Sequence, residues 1–134
     1  MVLLMLFILP IFSTELVIIA NKDFPKSSLT QDEIQDFFLD KRHFIIGKKV
    51  LVMNFELSSS LRSCFERHVL KKSKRSLKRY WRKAYYQGKR PPKIIQSIEM
   101  LFSYLDKVAP SIGYSDSSDT VDENVTVLYK VTCD

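Results

Sequence analysis

Three consecutive serines, Ser58-Ser59-Ser60, stand where an apolar run gives way to a helical pattern. The first N–H groups of a helix have no intrahelical partner, and they lie at the positive end of its dipole. Such a helix start attracts an anion, and flanking hydroxyls add hydrogen bonds to it. Arg62 is a nearby cation that can contribute. The same serines also act as plain N-caps, which need no ligand. The sequence leaves both readings open.

The other reactive residues are sparse. Cys64 and Cys133 can pair in an oxidising compartment, or Cys64 can simply pack on an apolar helix face. The apolar spacing around Cys64 favours packing. His68 lies four residues from Cys64 with nothing to orient it, so no cysteine nucleophile is formed. The two Cys and two His are scattered, which excludes a Cys/His zinc site. There is no G-x-S-x-G elbow, phosphate-binding glycine loop, H-E-x-x-H or paired-carboxylate signature. Acidic residues cluster from Asp116 to Glu123, where solvation is the ordinary explanation and the spacing is not that of an EF-hand. These residues describe a non-enzyme that needs no metal or other cofactor.

The elements that position these residues come from patterning. The chain has 134 residues, 46% of them hydrophobic and 27% charged, with a net charge of +6, which suits one soluble domain. A mean hydropathy of −0.08 excludes a polytopic membrane protein. Met1–Phe12 is uncharged and apolar but shorter than the roughly 20 residues a bilayer requires. It reads as the apolar region of a secretory signal peptide, with Ser13 and Thr14 as small residues for cleavage. The expected division is a leader at 1–13 and a domain at 14–134. The protein is then periplasmic or otherwise exported, touching a membrane only through an uncleaved leader.

Glu15–Asn21 is continuously apolar in its middle and reads as a strand buried on both faces. Thr30 and Glu33 have capping-box spacing ahead of a helix from about Gln31 to Leu39. Asp40–Lys49 reads as a polar connection and Val50–Met53 as a short strand. Leu61, Cys64, Phe65 and Val69 share one helical face, closed by Lys71 and Lys72. Ser73 caps a third helix, on which Leu77, Tyr80, Trp81, Ala84 and Tyr85 form one apolar stripe, and Gly88 ends it. Ile94 and Ile95 extend after Pro91-Pro92, and Ser97 caps a fourth helix that Pro110 stops. Ile112–Tyr114 reads as a short strand or turn, Ser115–Asn124 as a polar loop and Val125–Val131 as a final strand. Strands alternating with helices predict an α/β domain, a mixed sheet flanked by about four helices.

Charge is distributed unevenly. From Lys71 to Lys93 there are eleven Lys/Arg and no acid; after Ile94 there are seven acids against Lys107 and Lys130. The aromatics of the basic stretch fall mostly on its apolar stripe and so read as core, not as stacking platforms. The basic residues therefore read as a solvated face that attracts phosphate or docks on an acidic partner, not as a nucleic-acid site.

Several stretches together resemble one family. Phe37-Phe38-Leu39-Asp40-Lys41-Arg42 is similar to an "IFLGK" motif at the end of a first helix. Tyr80-Trp81, Tyr86-Gln87-Gly88 and Pro91-Pro92 resemble "YW…F.G…PP". Ser97-Ile98-Glu99, Tyr104-Leu105 and Pro110–Tyr114 resemble "S.E….YV…PGAIGY". In order and spacing these resemble the phosphate ABC transporter substrate-binding proteins, and more closely their short stand-alone relatives, over about Val17–Val131. The resemblance implies export and phosphate binding in a cleft between two α/β lobes. It also implies that this chain, too short for both, corresponds to one periplasmic-binding-protein-like lobe. Asn54–Ser60 aligns with "R-x-x-x-S-G-T", so Ser58 and Ser60 match hydroxyl ligands, Asn54 replaces the phosphate-binding Arg, and Ser59 replaces a Gly. An amide lacks the charge and fork of Arg, so the expectation is weak binding of phosphate or another oxyanion. The alternative is an envelope interaction or sensor module without a ligand. A protein partner or a homodimer would rebuild the missing wall. Asp40 and Ser111 replace two further glycines of the pattern, changes read as structural.

Overall fold

The computed structural model describes residues 2–5 and 14–133. Of the expected leader at 1–13, residue 1 and residues 6–13 lie outside the described residues. Strand β1 (Thr14–Asn21) is buried from Leu16 to Asn21, as its unbroken apolar middle demands. It is followed by α1 (Gln31–Phe38), a hairpin of β2 (Phe44–Ile45) and β3 (Lys48–Lys49), and β4 (Leu51–Phe55). Helix α2 (Ser60–Phe65) runs on into a π-helical turn (Glu66–Leu70). Then come α3 (Lys74–Tyr86), β5 (Lys93–Ile95), α4 (Ile98–Lys107), β6 (Ser111–Asp116), a 3₁₀ turn (Ser117–Thr120) and β7 (Val125–Cys133). The sheet order is β5-β4-β6-β1-β7, with β4 parallel to β5 and β6, and β1 antiparallel to β6 and β7. This is the predicted mixed sheet with four helices.

Local signals set the helix ends. Thr30 and Glu33 form both halves of a capping box, while Ser59, Ser73 and Ser97 each cap the helix that follows. The expected polar connection at 40–49 differs: Ile45 buries against the core, and Ile46-Gly47 turns the chain at positive φ, which makes the β2–β3 hairpin. Asp40 does adopt a left-handed φ of 58°, and its carboxylate meets His43 Nε2 at 2.9 Å and accepts from the Arg90 N–H at 2.9 Å. These bonds hold a conformation that Asp tolerates better than most residues. Ile112–Tyr114 belongs to a full strand in the middle of the sheet, buried from Ser111 to Ser115. Ser111 is fixed there by its N–H donating to Asn21 Oδ1 at 3.0 Å and its hydroxyl to Val108 O at 2.6 Å.

The α3 stripe is only partly core. Leu77 and Ala84 are buried and Tyr80 and Trp81 half-buried, but Tyr85 is 60% exposed and Tyr86 86% exposed. The expectation that Tyr85 packs inward is therefore corrected: only the narrow stripe of Leu77, Tyr80, Trp81 and Ala84 finds partners.

Cys64 and Cys133 are joined as a disulfide, with Cα atoms 5.7 Å apart. Cys64 also packs in the core, so packing and pairing coexist. Cys133 ends edge strand β7, and the bond pins that edge to α2.

Candidate functional site

A cleft of about 570 Å³ opens beyond Phe55, where β4 leaves the sheet. Its walls are apolar: Leu57, Leu70, Leu77, Trp81, Pro91, Pro92 and Ile94. Its polar lining is Asn54, Glu56, Ser58, Arg62 and Glu66. Ligand sites of open α/β sheets form at such carboxyl ends of parallel strands.

Asn54 is buried and held by its neighbour on the adjacent strand. The Tyr114 hydroxyl donates to Asn54 Oδ1 while accepting from the Phe55 N–H at 3.4 Å. Burial pushes the Tyr114 phenol well above its ordinary range, so it stays a donor. With Oδ1 committed inward, the amide nitrogen is the group Asn54 has left to offer the cleft. Tyr114 itself is locked in an aromatic stack: the Phe65 ring lies parallel at 4.2 Å and Phe55 edge-on at 5.4 Å.

Arg62 reaches down from α2. Its Nε donates to Glu66 Oε2 at 3.1 Å and its Nη1 to Phe55 O at 2.8 Å. The pair is largely withdrawn from water, with side chains 15% and 4% exposed. Glu66 therefore neutralises the guanidinium, and the cleft floor carries a balanced ion pair. Glu66 Oε1 is buried and has no hydrogen-bond partner among the described residues.

The three serines separate. Ser58 is exposed and lines the cleft. Ser59 uses its hydroxyl to accept from the Arg62 N–H at 3.2 Å, so it caps the helix. Ser60 begins α2, exposed, and is not part of the cleft lining. Of the predicted set, Asn54, Ser58 and Arg62 are thus brought together. Cys64 and Cys133 form the disulfide behind α2, outside the cleft lining.

Sequence reasoning missed Glu66, Trp81 and Tyr114 as parts of this site. Glu66 stands four residues after Arg62, the spacing of a helical ion pair, and that signal was legible. Trp81 carried a core signature because half of its surface does pack. Tyr114 became a site residue only through the β4–β6 pairing.

No protein-family model matches the chain, and no curated protein matches its sequence. Solved structures do match its shape. An ABC-type phosphate transport receptor from Vibrio cholerae superposes with a TM-score of 0.69 at 17% identity, over 87% of this chain and 46% of the receptor. A putative phosphate ABC transporter substrate-binding protein from Clostridium perfringens, solved with bound phosphate, gives 0.69 at 20% identity, over 87% and 44%. PstS from Borrelia burgdorferi gives 0.66 at 12%, over 87% and 47%. The fold is that of a periplasmic-binding-protein-like lobe. The chain spans less than half the length of these neighbours. Among the described residues no helix is long and apolar enough to cross a membrane.

Proposed function

We propose that this chain is an exported, non-enzymatic ligand-binding lobe of the phosphate-binding type that takes phosphate or a similar small oxyanion weakly. The observation that carries this reading is the convergence of Ser58, Asn54 and Arg62 on one cleft at the end of β4. Export rests on the apolar leader at 1–13, and a disulfide suits an oxidising compartment. The weakness follows from the charge balance. Arg62 is shared with Glu66, and Asn54 brings no charge, so an incoming anion meets donors but no net positive field.

The carboxylates sharpen the specificity. Glu56 and Glu66 both line the cleft against the one guanidinium of Arg62, so a fully ionised anion is repelled more than a protonated one.

The neutralised Arg62 also supports a second reading, an envelope module whose half-cleft is covered by a protein partner or a second copy and binds no anion. One titration separates the two. Trp81 is the single tryptophan and lines the cleft, so its fluorescence reports occupancy. Phosphate, sulfate and chloride are compared at matched ionic strength, with thermal melting in parallel. A ligand at 100 times its Kd stabilises the fold by about 2.7 kcal/mol. Saturable, phosphate-selective changes that Ser58→Ala abolishes are expected; no change at millimolar phosphate overturns the anion reading and leaves the interaction module.

A further inference from the structure

Helix α3 carries a charge pattern that the cleft does not use. Arg75, Lys78, Arg79 and Arg82 recur at i, i+3, i+4 and i+7, so they form one face of the helix. All four are exposed, and together they frame a shallow concavity of about 370 Å³. None of them belongs to an ion pair among the described residues, where the ion pairs use Lys26, Arg42, His43 and Arg62. Four unpaired cations in a row repel one another, and an intramolecular role would have brought acids to them. The row continues one turn further to Tyr86, which is 86% exposed.

We propose that this face of α3 docks on an anionic lipid surface. Its cations match the negative potential of lipid headgroups, and an exposed Tyr at the end of the row is suited to the headgroup layer. The aromatics argue against single-stranded nucleic acid, which needs rings interleaved with the cations. Here Tyr80 turns inward to donate to Leu39 O at 2.5 Å, and Trp81 lines the cleft. Tyr85 has its face covered by Arg90, whose guanidinium carbon lies over the ring 4.5 Å from its centroid.

The test is sedimentation of the full chain with phosphatidylcholine vesicles, with and without phosphatidylglycerol, at low and high salt. Neutral vesicles report every apolar contribution, which is indifferent to salt, so the anionic, salt-sensitive increment belongs to the cations. Each cation is worth about fivefold in partitioning, so replacing all four by Gln should reduce anionic-vesicle binding more than about a hundredfold, to the level on neutral vesicles. Tyr86→Ala should reduce it further only where anionic lipid is present. Because the four side chains are exposed, the melting temperature of the quadruple variant should match that of the parent, which separates lost docking from lost folding. Equal binding of parent and variant, or equal binding to both lipids, overturns the proposal. Tighter binding to single-stranded DNA than to the anionic vesicles overturns the choice of lipid.

Discussion

Reducing the Cys64–Cys133 bond should remove a large share of this domain's stability. The bond closes a loop with a sequence separation of 69, more than half of the described domain. In the chain-entropy account, a closed loop of about 70 residues restrains the unfolded chain by about 15 cal/mol/K, which is about 4.4 kcal/mol at 25 °C. Small domains have a total stability of about 5–15 kcal/mol, so this term decides whether the fold stands. With an unfolding entropy of about 2.1 cal/mol/K per residue over the folded domain, the melting temperature should fall by roughly 17 °C. With a urea slope near 2 kcal/mol/M, the midpoint should fall by about 2 M. Reduction is preferable to substitution because it removes no atom from the core, where Cys64 is 9% exposed. The assay is urea unfolding followed by Trp81 fluorescence, with and without a phosphine reductant, and thiol alkylation confirming that both sulfurs are free. The slope should also rise, because the reduced unfolded chain is more expanded. A midpoint unchanged in fully alkylatable protein would refute the reasoning and mean that the folded edge holds β7 without the bond.

Three further outcomes can be checked by the same unfolding measurements. Tyr114→Phe strands Asn54 Oδ1 and the Phe55 N–H, both buried, and should cost about 1–3 kcal/mol while weakening any ligand signal at Trp81; a neutral effect on both would show that Tyr114 does not position Asn54. Gly113→Ala places a Cβ 2.6 Å from Leu101 Cδ1 in a packed interior and should cost about 1–3 kcal/mol, a cost that shrinks when the change is made in a Leu101→Ala background; wild-type melting would contradict this packing. The carboxyl of Asp119, an exposed residue, is raised by partial desolvation, then by Asp116 and Glu99. The native state therefore holds its proton more tightly than the unfolded chain, and stability falls as pH rises through the raised value. Asp119→Asn should thus stabilise the domain at neutral pH and give no gain at about pH 3, below the ordinary carboxyl range; a gain that persists in acid would deny the electrostatic cause.

What was legible in the sequence was local. The capping box at Thr30, the serine caps at Ser73 and Ser97 and the continuous apolar run of β1 all announce themselves within one turn or one strand. The ordered motifs extended that to the correct fold. What was not legible depended on partners far along the chain. Tyr114 meets Asn54 across 60 positions. The stripe on α3 was read with the right period but too broad a contact, because periodicity reveals which side faces inward and not how wide the opposing surface is. In the serine triplet, the order of roles is set by where α2 begins. A one-residue difference in that start decides which hydroxyl caps and which one faces the cleft.

The position of β1 has a consequence for how the protein is made. The first strand of the domain lies between β6 and β7, the last two, and both of its ladders wait for residues beyond Ser111. A ribosome that has released the first hundred or so residues has delivered β1 without either neighbour. Folding of such non-local sheets is slow, because the long loops must close before the pairing stabilises them. Until its final segment emerges, the nascent chain has no native place for its most apolar strand. Such a chain stays extended and open to whatever escorts it, the condition a polypeptide must keep if it is to be threaded across a membrane before it folds. The late strands then act as the lock that completes the sheet.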